Sequence, residues 1–151
     1  MRQIVKRDTK PEVAVRRVLH ALGYRFRIHR SDLPGTPDIV LPKYRVAILV
    51  HGCFWHQHHG CKLARQPKSR LEYWLPKFER NQQRDLEVCD ALRASGWVPI
   101  VIWECETKSA VRLRQRIADL IPVEPNRGRH VVQSHQVPNL YPDEGREVPR
   151  D

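Results

Sequence analysis

The sequence predicts a small α/β domain: a mixed β-sheet with helices on its faces. Two observations carry that expectation. Patterns of period 3.6 and period 2 alternate along the chain, in the order helix, strands, helix, strand, helix. Residues Val46 to Val50 read "VAILV", a run without a polar residue, which suits a central strand covered on both faces. The 151 residues suit one domain, large enough to bury a core without disulfide staples.

The first helix starts in "DTKPEVAVRRVLHALGY". Thr9 is placed to cap it, and Glu12, three residues on, completes a capping box. Pro11 fits the first turn. Val15, Val18, Leu19 and Leu22 make the apolar face, and Gly23 stops the helix. "YRFRIHR" then alternates, with Tyr24, Phe26 and Ile28 on one face, as a half-buried strand does.

"PDIVLPKYRVAILVHG" reads as two strands joined at Pro42-Lys43-Tyr44-Arg45. In a hairpin around that turn, facing residue numbers sum to about 87. Asp38 then falls opposite residue 49 or so, beside the point where the second strand runs into His51.

"SRLEYWLPKFERNQQRDLEVCDALRASGW" is the second helix, with Ser69 and Glu72 as a capping box, a break or kink near Leu75 before Pro76, and Gly96 as its stop. "WVPIVIWEC" is another apolar strand and "KSAVRLRQRIADLI" a last helix. From Pro122 onward the chain has five prolines and little apolar pattern, so residues 122–151 are expected to form a flexible tail and residues 1–121 the folded domain.

The net charge is +10. The tail holds four Arg and five acids, which leaves +11 on residues 1–121. A compact basic domain points to a polyanion, most often nucleic acid; a solubilising surface is the plainer alternative. No apolar run is long enough to span a membrane, and "MRQIVKRDTKPE" lacks the apolar stretch of a secretory signal, so a cytoplasmic protein is expected. Disulfides are then not expected among Cys53, Cys61, Cys89 and Cys105.

The densest chemistry lies in "HGCFWHQHHGC", His51 to Cys61. Cys53, His58 and Cys61 lie within nine residues and can close a loop around one zinc ion, with thiolates favoured and four ligands wanted. Cys105, just after an apolar strand, can supply the fourth. His59 competes with His58. Ordinary core cysteines are the alternative, and Cys89, between Val88 and Leu92 on a helix face, fits that alternative itself. Phe54 and Trp55 sit inside the same loop. Exposed aromatics on a basic protein can stack on bases or wedge between them; equally, they can form a satellite core with Tyr73 and Trp74. Asp38, beside His51 and His56, can hold a hard Mg²⁺ ion, with a histidine as general base, or can simply cap the turn after "LPGTP".

"DTKPE", "LPGTPDIVLP", "VHGCFWHQHHGC", "EYW…KF…N…RD" and "GWVPIVIWEC", in this order, resemble the Vsr-type very-short-patch-repair endonucleases over residues 1 to about 121. The resemblance implies a restriction-endonuclease-like fold, of the PD-(D/E)XK superfamily, with one structural zinc. It implies an enzyme that nicks double-stranded DNA 5′ of the thymine in a T·G mismatch left by deamination of 5-methylcytosine. By position, Asp38 would bind Mg²⁺, His56 would act as general base, His51 would assist at the phosphate, Glu12 would orient the catalytic histidine and Asp85 would support the same site. Zinc would be held by Cys53, His58, Cys61 and Cys105; the family's spacing favours His58. Phe54, Trp55 and Trp74 would wedge into the duplex, and Met1 and Ile4 would insert from the minor groove. The strand after "PD" ends Val50-His51-Gly52, where the wider superfamily carries an acid and a lysine. The family shares this departure, and the main-chain carbonyl of Val50 would serve as the second Mg²⁺ ligand. The resemblance further implies a monomer working at the nucleoid, with mismatch-repair proteins as partners. Two other readings of the residues are a related nickase with another DNA target and an inactive, zinc-stabilised DNA-binding module.

Overall fold

A computed structural model describes residues 7–121. Met1, Ile4 and the expected tail 122–151 lie outside the described residues. Within them the element order is α1 (Lys10–Ala21), β1 (Arg27–Ile28), β2 (Ile39–Leu41), β3 (Val46–His51), α2 (Leu71–Ala94), β4 (Val98–Trp103) and α3 (Ala110–Leu120), with short 3-10 turns between. The sheet order is β1-β2-β3-β4. The first three strands run antiparallel, and β4 lies parallel to β3. A parallel neighbour needs a long crossover, and α2 supplies it.

Alternation along the strands divides the core. Ile39, Leu41, Val46, Ile48, Ile100 and Ile102 face one way and pack against Val15 and Leu19 of α1 and Leu113 and Ile117 of α3. Val40, Ala47, Leu49, Val101 and Trp103 face the other way, against Cys89 and Leu92 of α2. Cys89 is thus a core residue, as its neighbours indicated. The same alternation puts His51 and Trp103, paired in the β3/β4 register, at the carboxyl ends of two parallel strands.

The hairpin register follows the expectation: Ile39 pairs with Ile48, Val40 with Ala47 and Leu41 with Val46. The turn is a 3-10 turn over Pro42–Tyr44 closed by Arg45 in the left-handed region. Other expectations need correction. The strand over "YRFRIHR" shrinks to Arg27–Ile28, with Ile28 exposed. Tyr24 and Phe26 pack on the core from irregular backbone. His29, at φ 50°, ends the pairing. Thr9 caps α1 by accepting from the Glu12 N–H, but the Glu12 carboxylate accepts from the N–H of Asp8, one residue short of the reciprocal box. Ser69 does not cap α2. The cap is Arg70, in the left-handed region and without a side-chain bond, because the helix begins at Leu71. Pro76 neither breaks nor ends α2, which runs unbroken over 24 residues. The missing N–H sits in its second turn, and the packing of Phe78, Asp85, Cys89 and Leu92 further along sustains the helix.

Candidate active site and metal cluster

The catalytic candidates gather at the carboxyl end of β3. The Val50 N–H donates to Asp38 Oδ2 at 2.7 Å, so the hairpin brings the acid to the strand end as its register required. The N–H and C=O of one strand residue point to the same edge. The Val50 carbonyl therefore faces the side on which Asp38 lies. Burial pushes the Asp38 carboxyl up to about 6, against the lowering effect of the Val50 N–H. The charges of Glu12, His29 and His56 also act on it.

Asp85 reaches the same place from α2. Its Oδ2 lies 2.6 Å from His56 Nδ1, and its Oδ1 lies 3.9 Å from His51 Nε2. The two histidines stack face to face, with centroids 4.0 Å apart and planes within 5°. His51 is buried, and burial together with the neighbouring His56 holds its imidazole down at about 3. It is neutral at physiological pH. Its Nδ1 is buried without a hydrogen-bond partner.

Glu12 sits in a cluster of its own. It accepts from the Asp8 N–H at 2.9 Å and from Arg16 at 3.3 Å, and His29 Nε2 lies 3.9 Å from the same oxygen. Arg16 also pairs with Asp8 at 2.8 Å. Through its charge, Glu12 acts on Asp38. This supporting group of Asp8, Arg16 and His29 went unread in the sequence. The i, i+4 step from Glu12 to Arg16 along α1 was the available signal for Arg16.

The loop after β3 folds back in tight turns, with the His56 N–H bonded to the Gly52 carbonyl and the His58 N–H to the Cys53 carbonyl. The turns bring Cys53, His58 and Cys61 together, and Cys105 joins them from the turn after β4. One donor atom from each lies within 4.8 Å of every other. His58 Nδ1 is 3.4 Å from Cys105 Sγ and 3.7 Å from Cys53 Sγ. Tetrahedral zinc with bonds of about 2.0–2.3 Å needs donors roughly 3.3–3.8 Å apart, so the set fits such an ion. Three thiols and an imidazole are the soft donors zinc takes. Burial pushes the Cys53 thiol up to about 12 and raises Cys105, while the Cys105 N–H bond to Cys53 Sγ would favour a thiolate. His59 is exposed.

The aromatic candidates do not stand free in solvent. Phe54 meets Trp55, Trp74 and Phe78 edge-on at 5.3–5.4 Å, and Trp74 stacks on Phe78. Phe54, Trp55 and Trp74 are half-buried, so they form a partly exposed cluster on α2. Lys77 Nζ lies over the rings of Trp55, Tyr73 and Trp74 at 5.1–5.8 Å. Asn81 donates to the Trp55 carbonyl. Lys77 and Asn81 stand in the pattern "EYW…KF…N…RD" but carried no role of their own in the sequence. The steps 74, 77, 78, 81 and 85 along α2 trace one helix face and were the signal for both.

A family model described as DNA mismatch endonuclease Vsr matches residues 1–63. The type II nicking enzyme V.XorIIP of Xanthomonas oryzae pv. oryzae is 51% identical over 121 residues, covering 80% of this chain and 88% of that protein. The type II nicking enzyme V.NmeAIP of Neisseria meningitidis is 40% identical, covering 80% of this chain and 86% of that protein. The DNA mismatch endonuclease Vsr of Escherichia coli is 41% identical over 119 residues, covering 79% and 73%. The aligned length takes in both the acid–histidine group and the metal cluster, and the chain belongs to the Vsr family of DNA mismatch endonucleases, hydrolases that cleave DNA.

Proposed function

We propose that the chain nicks one strand of duplex DNA 5′ of the thymine in a T·G mismatch, with Mg²⁺ at Asp38 and a structural zinc in the Cys53, His58, Cys61 and Cys105 cluster. One observation carries this reading: the short Asp85–His56 contact beside Asp38, in a chain of this family. The mixed four-stranded sheet supports a restriction-endonuclease-like core.

His56 Nδ1 faces Asp85, and the other ring nitrogen, Nε2, is taken as the proton acceptor. Water attacks the phosphorus, its proton passes to His56 Nε2, and the P–O bond to the leaving sugar oxygen breaks, that oxygen keeping the electron pair and taking a proton from solvent water. Asp85 steadies the imidazolium that forms. Neutral His51, stacked on His56, assists beside the phosphate without adding a buried charge. Asp38 and the Val50 carbonyl are the hard oxygen donors for Mg²⁺, which when bound polarises the phosphate and acidifies the attacking water. Glu12 supports the Asp38 side of the site, and Asp85 orients the histidine.

A wobble pair is poorly stacked and easier to open, so Phe54, Trp55 and Trp74, with Lys77 beside them, are placed to read the mismatch by wedging. The +11 charge on residues 1–121 supplies phosphate contacts. Met1 and Ile4, the monomeric state, action at the nucleoid and any repair partners belong to the same reading. Among the described residues no helix is long and apolar enough to cross a membrane.

The test is a strand-labelled T·G duplex beside its T·A control in Mg²⁺. Nicking of the T strand only, and only in the mismatch, is expected. Asp38→Ala and His56→Ala should each abolish nicking while leaving duplex binding within a few-fold. Wild-type nicking by His56→Ala would remove His56 as the base. Several relatives are named nicking enzymes, which keeps a second reading open. Cleavage of matched duplex at a comparable rate would favour a nickase with another target.

A further inference from the structure

The end of the sheet away from the catalytic candidates carries a cavity that the mechanism does not use. Its volume is about 700 Å³, and it lies between the end of α1, β1 and the Pro42–Tyr44 turn. His20, Tyr24, Arg25, Arg27, Lys43 and Tyr44 line it, and among the described residues no carboxylate does. The chain brings them together for local reasons. α1 ends at Ala21, and Gly23, at φ +83°, turns the backbone toward β1. Tyr24 and Phe26 then pack on the core, which leaves Arg25 and Arg27 exposed on the outer side. The antiparallel pairings of β1 with β2 and of β2 with β3 set the turn with Lys43 and Tyr44 beside them. Tyr24 and Tyr44 meet edge-to-face, with centroids 5.5 Å apart.

The polar groups of this cavity are unused. Among the described residues the side chains of Arg25, Arg27 and Lys43 make no hydrogen bond or ion pair. Lys43 Nζ lies over the Tyr44 ring, 5.6 Å from its centroid. Neither tyrosine hydroxyl has a partner there, and neither is buried. The carbonyls that close α1 are already occupied: Val18, Leu19 and His20 accept from the N–H groups of Leu22, Tyr24 and Gly23. Three cationic side chains and two hydroxyl donors without a neighbouring acid suit an anion. Arg, Lys and Tyr are among the side chains that hold phosphate oxygens in DNA complexes. The chain belongs to a family of DNA-cleaving enzymes, so duplex DNA is the polyanion it meets. β3 runs from this end to the catalytic one, about 17 Å from Val46 to His51 at ~3.3 Å per residue. That length equals about five base pairs of duplex.

We propose that this cavity is a second DNA-binding site: Arg25, Arg27, Lys43 and the hydroxyls of Tyr24 and Tyr44 hold backbone phosphates of the duplex flank, about five or more base pairs from the scissile bond. The inference goes beyond the reading of the catalytic site. Backbone contacts carry no base sequence, so this site needs neither the T·G pair nor Mg²⁺.

The test reads binding alone, without Mg²⁺, so it stands whether or not the T·G and His56 assignments do. Affinities are measured at several salt concentrations for T·G and T·A duplexes. On each side in turn, the flank is about 4 or about 12 base pairs, short or long of the span of β3. Wild type should bind the long flank about tenfold more tightly on one side, with either base pair. Arg25→Ser/Arg27→Ser/Lys43→Ser should lose most of that gain and flatten the salt slope by about 2–3, at ~0.9 per lost phosphate contact. Tyr24→Phe/Tyr44→Phe keeps every charge; it should weaken the long-flank complex about 3–10-fold and leave the slope unchanged. Both variants should bind the short-flank duplexes within about twofold of wild type. Arg17→Ser/Arg112→Ser/Arg114→Ser removes three exposed charges outside the cavity and should affect short and long flanks alike. Equal wild-type affinity for short and long flanks would overturn the proposal. So would equal losses of the flank gain in the two triple variants, which would make the charge a diffuse solubilising surface. A tyrosine variant with wild-type affinity would also overturn it. So would a poly-glutamate peptide that needs Arg25, Arg27 and Lys43 for binding while the flank gain does not, which would make the cavity a protein-binding site. Should the tyrosine variant melt well below wild type, the Arg25, Arg27 and Lys43 variant decides the matter.

Discussion

Asp38 is a buried carboxyl with one strong partner, the Val50 N–H. Keeping a negative charge there works against folding, and in the proposed function its use would be to hold a cation. Asp38→Asn keeps the shape and removes the charge. It should abolish nicking and raise the melting temperature of metal-free protein at neutral pH by a few degrees; a lower melting temperature would contradict the idea that the charge is a burden. Asp8 behaves in the opposite way. A hydrogen bond from Arg16, then one from His29, holds its carboxyl below the usual range. A lowered value means stabilisation that is complete above the unfolded pKa of about 3.9 and is lost as pH falls through the folded value. Asp8→Asn should therefore melt below wild type at pH 7, and the two curves should converge once the pH has fallen through the lowered folded value. Asp38, His51 and His56 were legible as individual residues because their types are rare together. The partners of Glu12 were not, since Asp8, Arg16 and His29 are ordinary surface residues until the fold brings His29 back to α1.

Helix α2 links the functional groups. It buries Phe78, Asp85, Cys89 and Leu92, and it meets the metal loop with Trp74, Lys77 and Asn81. Its placement depends on the loop before β2. A Cβ on Gly35 would lie 2.4 Å from Val88 Cγ1, and the backbone there has φ +70°. Gly35→Ala should cost about 2–4 kcal/mol, combining left-handed strain of ~1 with overpacking of ~1–3. Urea titration should show a lower midpoint with an unchanged slope. Adding Val88→Ala should recover the overpacking share only. The continuity of α2 through Pro76 was not legible. Local propensity argued for a break, while contacts made by residues further along the helix outweigh the single lost hydrogen bond.

For the whole molecule, charge and metal set the behaviour. With +11 on residues 1–121, duplex affinity should fall steeply with salt. A plot of log K against log salt should have a slope steeper than about −4, as for five or more phosphate contacts. A shallow slope would point to recognition dominated by the aromatic cluster. The Cys53, His58, Cys61 and Cys105 cluster joins the loop after β3 to the turn after β4, two segments about fifty residues apart, so a zinc ion bound there, as proposed, would act as a cross-link. Cys105→Ser should lower bound zinc below one per chain and drop the melting temperature by several degrees, while leaving the far end of the sheet, around the Pro42–Tyr44 turn, protected in hydrogen exchange.

By itself the sequence determined the element order, the hairpin register, the central strand and the inventory of chemistry. All of these rest on short-range rules: side-chain period, turn residues and the type of each donor. The family followed from the same inventory in its order along the chain. Only the tertiary structure decided which groups meet. It set Asp85 against His56 across 29 residues, brought Cys105 to His58, and stacked His58, Trp103, His51 and His56 in one series. It also packed Phe54, Trp55 and Trp74 together in a partly exposed cluster against α2. The physical reason is that a parallel strand pair with a helical crossover places its two carboxyl ends side by side. Groups far apart in the chain then share one small volume, and no local pattern records which of them will touch.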